Sequence, residues 1–384
     1  MKTRFNFALL PLALLALCLT TAPALAGPPP FTTTELIAGN NPPAVNGANL
    51  LAAVAAAAPN TLIKLEPGVY DLSGQQIVLP DFVDIEGSGR GITTIVSDLT
   101  LSLTPSVVEV AAGINGEIRQ LTIQAFAGSA TAVTARSDEF LLTEVNLEVE
   151  GDNQAIGVAI RNASPRVNEC FVRVLGSSSN ATGILIEGAG GAAVTDSLVF
   201  GSNVQRNFWG VLVDDSQPVL ESVIVFSLFN GSNTGVALSG DTTVATIRNT
   251  RATVQGSRAA GLYMNKQSNA RVKESTFVVR SNDFAAGIQL EEASAKVTES
   301  TFDVAELTLA HFSIFGAQLT GPSGLDSNQS NYESTVFAVN NAGTGQARFG
   351  ASQLIGIASP AVFGPLVCAQ SYNGAYAAIN TFCN

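Results

Sequence analysis

Glu187 lies four residues after Gly183, and Asp214 and Asp215 lie four and five residues after Gly210. Arg161 holds the first of these offsets from Gly157. If the three glycines mark one structural position, Arg161, Glu187 and Asp214 stand side by side on neighbouring strands, with Asp215 next to them. Carboxylates crowded in this way raise each other's pKa or are relieved by a cation. Glu187, Asp214 and Asp215 could therefore serve general acid–base chemistry or bind calcium through oxygen ligands. Lys266, five residues after Gly261, would face Glu291 and Glu292 one strand away, either as a catalytic base or in a surface ion pair worth less than about 1 kcal/mol. Trp209, the only tryptophan, immediately precedes Gly210, and Tyr263 follows Gly261 by two residues. An aromatic side chain beside carboxylates can act as a sugar platform. The catalytic candidates are thus Asp214, Asp215, Glu187 and Lys266, and the binding candidates are Trp209, Tyr263 and Arg161. An Asp-Asp pair is also ordinary turn composition.

These offsets matter because the glycine opens a recurring phrase: Gly, apolar, any, apolar. It reads GVAI at Gly157, GILI at Gly183, GVLV at Gly210, GVAL at Gly235, GLYM at Gly261 and GIQL at Gly287, with steps of 26, 27, 25, 26 and 26 residues. A second alternating phrase follows each one, as in VNECFVRV, VTDSLVF and VKESTFVV. Alternation over four to six residues is the strand period, and the Gly, Ser and Asn clusters between phrases are corners. A unit this short cannot bury its apolar face alone, so copies must stack. Equal offsets then become columns whose members lie about 4.8 Å apart. One column of hydroxyls is expected at Cys170, Ser197, Ser222, Thr250, Ser275, Ser300 and Ser334. An acidic column just before it is expected at Glu144, Glu169, Asp196, Glu221, Asn249, Glu274, Glu299 and Glu333, where regularity suits a solvated bend.

The stretch resembles the right-handed parallel β-helix of the pectin-lyase-like superfamily, and NTLIKLEPGVYDLSGQQIVLPDFVDIEGSGRGITTIVSD at 60–98 is similar to the first coils of such proteins. The resemblance implies an all-β solenoid of about eleven or twelve coils over 61–367, and work on polysaccharide in the groove of the first parallel sheet. Polygalacturonase-like chemistry would need three aspartates on adjacent coils with His-Gly and basic motifs, and Asp214-Asp215 is the only echo. Lyase-like chemistry would need an Arg or Lys base near calcium-binding carboxylates, for which Arg161 and Lys266 could be proposed. Two readings follow: a rod that binds extended polysaccharide or acts as an interaction surface, and a divergent polysaccharide lyase or glycoside hydrolase.

Residues 1–26 read as a signal peptide: Lys2 and Arg4, the apolar run 7–19, and Ala24-Leu25-Ala26 before the cleavage point. Removing Lys2 and Arg4 from 19 basic residues leaves 17 against 31 acidic ones, a net charge of −14 for the exported chain. That balance argues against nucleic acid or an anionic membrane as partner, and no later stretch is long and apolar enough to span a bilayer. After a Pro/Asn-rich segment at 27–45, residues 46–60 are expected to form a helix covering the open first coil, capped by Asn46 or Asn49 and stopped by Pro59. Longer corners are expected at 303–315 and 320–331. Cys368 and Cys383, 15 residues apart in an exported chain, are expected to close the 368–384 cap with a disulfide. Cys170 is left as an inert core residue.

Overall fold

The computed structural model describes residues 31–373, except 100–105, 176–179, 189, 203–205, 307–312, 357–361, 364–365 and 370. The leader at 1–26 and Cys383 lie outside the described residues.

Each coil contributes three strands, and every pairing is parallel with the coil before and after. In one coil, Arg166–Asn168, Phe171–Leu175 and Asn180–Glu187 pair with Ala193–Thr195, Leu198–Ser202 and Asn207–Asp214 of the next. The result is a parallel β-solenoid of about twelve turns with little helix. The sheet holding the glycine phrases is called the first sheet here. The sheet holding Arg166–Asn168 is the second, and that holding Phe171–Leu175 the third.

Two bends per coil are made by one residue in the left-handed region, which Asn, Asp and Gly enter most readily. Between the first and second sheets stand Asn162, Gly188, Asp215, Gly240, Lys266, Glu292 and Gly321. Between the second and third stand Glu169, Asp196, Ser222, Asn249, Glu274, Glu299 and Gln329. The acidic column is therefore a bend column, but it holds Ser222 and Gln329 where Glu221 and Glu333 were expected. The hydroxyl ladder shifts with it. Ile224 N–H bonds to Ser197 O and Arg251 N–H to Val223 O, which puts Val223 rather than Ser222 in the ladder. Ser330, rather than Ser334, follows Ser300, with Ser352 beyond it. The reason is local: Val219 and Leu220 are both apolar, so alternation leaves the phase open, and packing buries Leu220 completely.

The recurring glycine has a packing cause. A Cβ on Gly183 would lie 2.1 Å from Val199 Cγ1 and 2.6 Å from Gly210 O of the next coil. Side chains on either side of it fill a core dominated by Val, Ile and Leu. Towards the C-terminus aromatic rings take over, with Phe277 stacked on Phe302 at 5.1 Å and Phe302 on Tyr332 at 4.9 Å between centroids.

The covering helix runs Pro43–Ala56 and buries Leu50, Ala53 and Val54. It begins earlier than expected because Pro43 takes the first helical position, where a missing N–H costs nothing. Neither Asn46 nor Asn49 caps it. Asn46 is buried inside the helix and donates from Nδ2 to the carbonyls of Gly39 and Val69, both at 2.9 Å. Within the 27–45 segment, Thr33–Ile37 already pairs with Thr61–Leu65, so the sheet begins ahead of the helix. The expected corner at 320–331 is instead largely strand, Gly324–Asn328, paired with Ser294–Thr298. That at 303–315 includes parts of the strands Thr301–Glu306 and Ser313–Thr320, with 307–312 outside the described residues. Cys368 is buried on the strand Leu366–Ala369. Because Cys383 is not described, the structure does not supply the expected disulfide-closed cap. Among the described residues no helix is long and apolar enough to cross a membrane.

Candidate functional site

In the strand Asn207–Asp214, Phe208, Val211 and Val213 are fully buried in the core. Asn207, Trp209, Leu212 and Asp214 are left on the outer face. Registered pairing repeats this on the following coils: Trp209 faces Thr234, which faces Ala260, and Leu212 faces Ala237, then Tyr263, then Gln289. Small side chains at Thr234, Ala237 and Ala260 lie between larger ones, and the outer face is hollowed there. The groove encloses about 390 Å³, with Trp209, Tyr263, Arg258, Gln289 and Glu291 among its lining, a size ordinary for a ligand site.

Its polar groups are already oriented. Tyr263 Oη donates to Glu291 Oε2 at 2.8 Å, and Gln289 Nε2 donates to Glu291 Oε1 at 2.7 Å. Asn265 Nδ2 donates to Tyr263 Oη at 3.1 Å. Burial, and then the hydrogen bond to the Glu291 carboxylate, hold the Tyr263 phenol above its ordinary pKa. Arg258 lies over the Phe284 ring, 5.6 Å from its centroid, which steadies the guanidinium by cation–π attraction. The groove thus offers two aromatic surfaces, a fixed carboxylate, a phenolic donor and a cation. Asn233 also lines it, with a buried Oδ1 that has no hydrogen-bond partner among the described residues.

The column of Arg161, Glu187 and Asp214 exists as read; Ser239 follows it on the next strand, and Asn265 and Glu291 hold the same offset beyond. The members do different things. Arg161 pairs with Glu187 at 3.3 Å, both partly exposed. Asp215 is not on the sheet face: it takes the left-handed bend, φ 49°, and its Oδ1 accepts from Thr242 N–H at 3.3 Å and Thr242 Oγ1–H at 3.2 Å. Lys266 is another exposed bend residue, φ 50°. Among the described residues it makes no ion pair, with Glu291, Glu292 or any other acid. Among the described residues no group of three or more His, Cys, Asp or Glu could hold a metal ion. Glu187, Asp214 and Asp215 therefore do not assemble as the expected calcium set, because one is ion-paired and another is turned into the bend.

Trp209 and Tyr263 do meet, in one groove two coils across. Arg258, Gln289 and Glu291 were missed as its lining. A signal was available for Arg258, since the residue three before each glycine forms a regular outward column: Asn180, Asn207, Ser232, Arg258, Phe284 and Ser313. Cys170 is buried in the ladder, its thiol pushed up to about 12, chiefly by burial, which makes it a poor nucleophile.

No known family model and no curated protein matches the chain. Among solved structures, the Agl-KA catalytic domain is similar with a TM-score of 0.50 and 11% identity, over 85% of this chain and 64% of that one. That likeness is one of fold, a parallel β-solenoid as the repeat led one to expect. The mannuronan C-5 epimerase AlgE4 A-module of Azotobacter vinelandii is similar at TM-score 0.47 and 13% identity, over 90% of this chain and 92% of that one. Pectate lyase Pel9A is similar at TM-score 0.41 and 13% identity, over 89% and 79%. Identity this low shows likeness of fold alone, and a fold is not a function.

Proposed function

We propose that the protein is exported and binds an extended polysaccharide along the outer face of the first sheet, centred on the groove of Trp209 and Tyr263. The observation that carries this reading is the convergence of two aromatic side chains with Arg258, Gln289 and Glu291 in a groove of about 390 Å³. Flat apolar ring faces suit the C–H faces of sugar rings, and the fixed carboxylate and amides suit their hydroxyls. Parallel stacking runs the face along the rod, so successive sugars could meet successive coils. Export rests on the leader read at 1–26; a secreted chain that does not begin near residue 27 on N-terminal sequencing would remove it.

The test is retention on immobilised polysaccharides, screened with pectin, alginate and neutral glucans. Trp209→Ala and Tyr263→Ala should each weaken retention of the preferred polymer about tenfold, about 1.4 kcal/mol, with both variants still folded at the assay temperature. Equal retention by both variants would sink the reading.

One observation favours a second reading, a lyase or glycoside hydrolase on the same face. A phenol held 2.8 Å from a carboxylate is a proton donor and acceptor already within reach of a bound sugar. On this reading Tyr263 and Glu291 lead, with Glu187 and Asp214 as a second pair of acids on adjacent strands. New reducing ends or unsaturated products that vanish in Tyr263→Phe while retention persists would favour it. No product from any polymer leaves binding.

A further inference from the structure

The outer face of the second sheet carries a different chemistry. Over its C-terminal coils one outward column reads Arg271, Lys296, Asp326 and Arg348, registered strand by strand. All four side chains are exposed. They line an open trough of about 530 Å³, with Asn269 and Gln346 on its flank. In a chain of formal charge −12, basic side chains are expected to be drawn to carboxylates. Lys273 on the same face behaves that way, within 2.8 Å of Glu274 and 3.8 Å of Glu299. Arg271 and Lys296, by contrast, make no ion pair among the described residues. Arg348 is oriented by Gln346, its Nη2 donating to Gln346 Oε1 at 2.7 Å. Arg271 and Lys296 on adjacent strands, with Arg348 beyond Asp326, outnumber the one carboxylate of the column, which raises the local potential and draws anions into the trough.

We infer that this trough is a second binding site, for a linear anionic polysaccharide lying along the rod axis. The cations span three coil steps, about 14 Å at the inter-strand spacing, too far for one small anion to touch all of them but matched to a chain. Carboxylate and sulfate groups are both bound well by guanidinium and ammonium. A nucleic-acid duplex fits poorly: it carries one charge per about 1.7 Å, while Asp326 interrupts the column and Glu274 and Glu299 flank it. The site is separate from the first-sheet groove and does not depend on it.

The experiment measures binding of the full protein to polygalacturonate, dextran sulfate and neutral dextran at low and moderate salt. Wild type should bind one or both charged polymers, more weakly as salt rises, and should not bind dextran through this face. Binding of polygalacturonate alone would assign the trough to carboxylates, and of dextran sulfate alone to sulfates. The combined R271Q, K296Q and R348Q variant should lose at least tenfold in affinity, and the single charge reversal K296E should lose several-fold. The comparison is repeated in the Trp209→Ala background, where the loss caused by the trough substitutions should persist, which separates failure here from failure of the first-sheet reading. Equal affinity in wild type and both trough variants, or no binding of either charged polymer by wild type, would overturn the inference. A wild-type dimer that the variants dissociate would overturn it too, by assigning the face to self-association.

Discussion

At the scale of single residues, the glycine that opens each repeat is constrained from two sides. At Gly183 an added Cβ would meet Val199 Cγ1 at 2.1 Å and Gly210 O at 2.6 Å, and the backbone atom cannot move without breaking the stack. Gly183→Ala should therefore destabilise by about 1–3 kcal/mol or more, the ordinary cost of overpacking. Gly128→Ala is the control, since a Cβ there meets only Asn153 Nδ2 at 3.6 Å and φ is not in the left-handed region. Denaturant unfolding would compare the two, and equal midpoints would contradict the packing account. The same scale separates Asp214 from Asp215. They are adjacent in sequence and identical in chemistry, yet one ends a strand on the outer face and the other is spent holding Thr242 in the next corner. Nothing in the pair itself says which will do which.

At the scale of elements, the hydroxyl ladder is a device that joins coils. Ser300 Oγ donates to Thr298 O at 2.8 Å and accepts from the buried N–H of Ser275 at 3.2 Å, and Ser330 repeats the arrangement for Ser300 at 3.3 Å. Removing one hydroxyl strands a buried N–H, which costs about 1–3 kcal/mol. Ser300→Ala should lower the urea midpoint accordingly. Cys170→Ser should not, because its thiol already occupies a ladder position, 3.3 Å from Asn168 O. A Ser300→Ala midpoint equal to wild type would mean the ladder adds no stability. The ladder's spacing was legible in the sequence over most of the rod and slipped by one residue at Val219-Leu220, where two adjacent apolar residues erase the alternation. It slipped again at Ser334, because Glu333-Ser334 repeats the Glu-Ser signature on a strand that belongs to the third sheet, paired with Thr301–Val304.

At the scale of the whole molecule, tyrosines buried near both ends link the stack to alkaline pH. Tyr70, beneath the covering helix, is raised to about 12, chiefly by burial, and Tyr332 in the aromatic stack is raised further for the same reason. Tyr263 in the groove is raised as well. A phenol whose folded pKa lies above its unfolded value of about 10 contributes stability fully below pH 10, and that stability is lost as pH rises through the folded value. Stability should therefore fall between about pH 10 and 12. Phenolate absorbance at pH 11 should be lower in the native protein than in the unfolded chain, where all five tyrosines ionise freely. Equal absorbance in the two states would show the phenols to be exposed.

The sequence by itself determined the repeat, the parallel stack and the columns, because a constant step turns equal offsets into neighbours whatever the corners do. It did not place Trp209 and Tyr263 on one face: they stand one residue before and two after the repeat glycine, which strict alternation would set on opposite faces, and it is the consecutive burial of Gly210 and Val211 that brings both positions outward. Only the tertiary structure decided where that face is hollow, for a hollow depends on the sizes of side chains from four coils at once: Trp209, Thr234, Ala260 and Tyr263, and Gln289. It alone decided which charged side chains stand on the sheet face and which do not, because the constant offset of five from the glycine that Asp215 and Lys266 share marks a column without saying that its backbone turns into the left-handed bend. And it alone gathered Arg271, Lys296 and Arg348 into one trough, from coils whose steps of 25, 30 and 22 residues hide their register until the strands are paired.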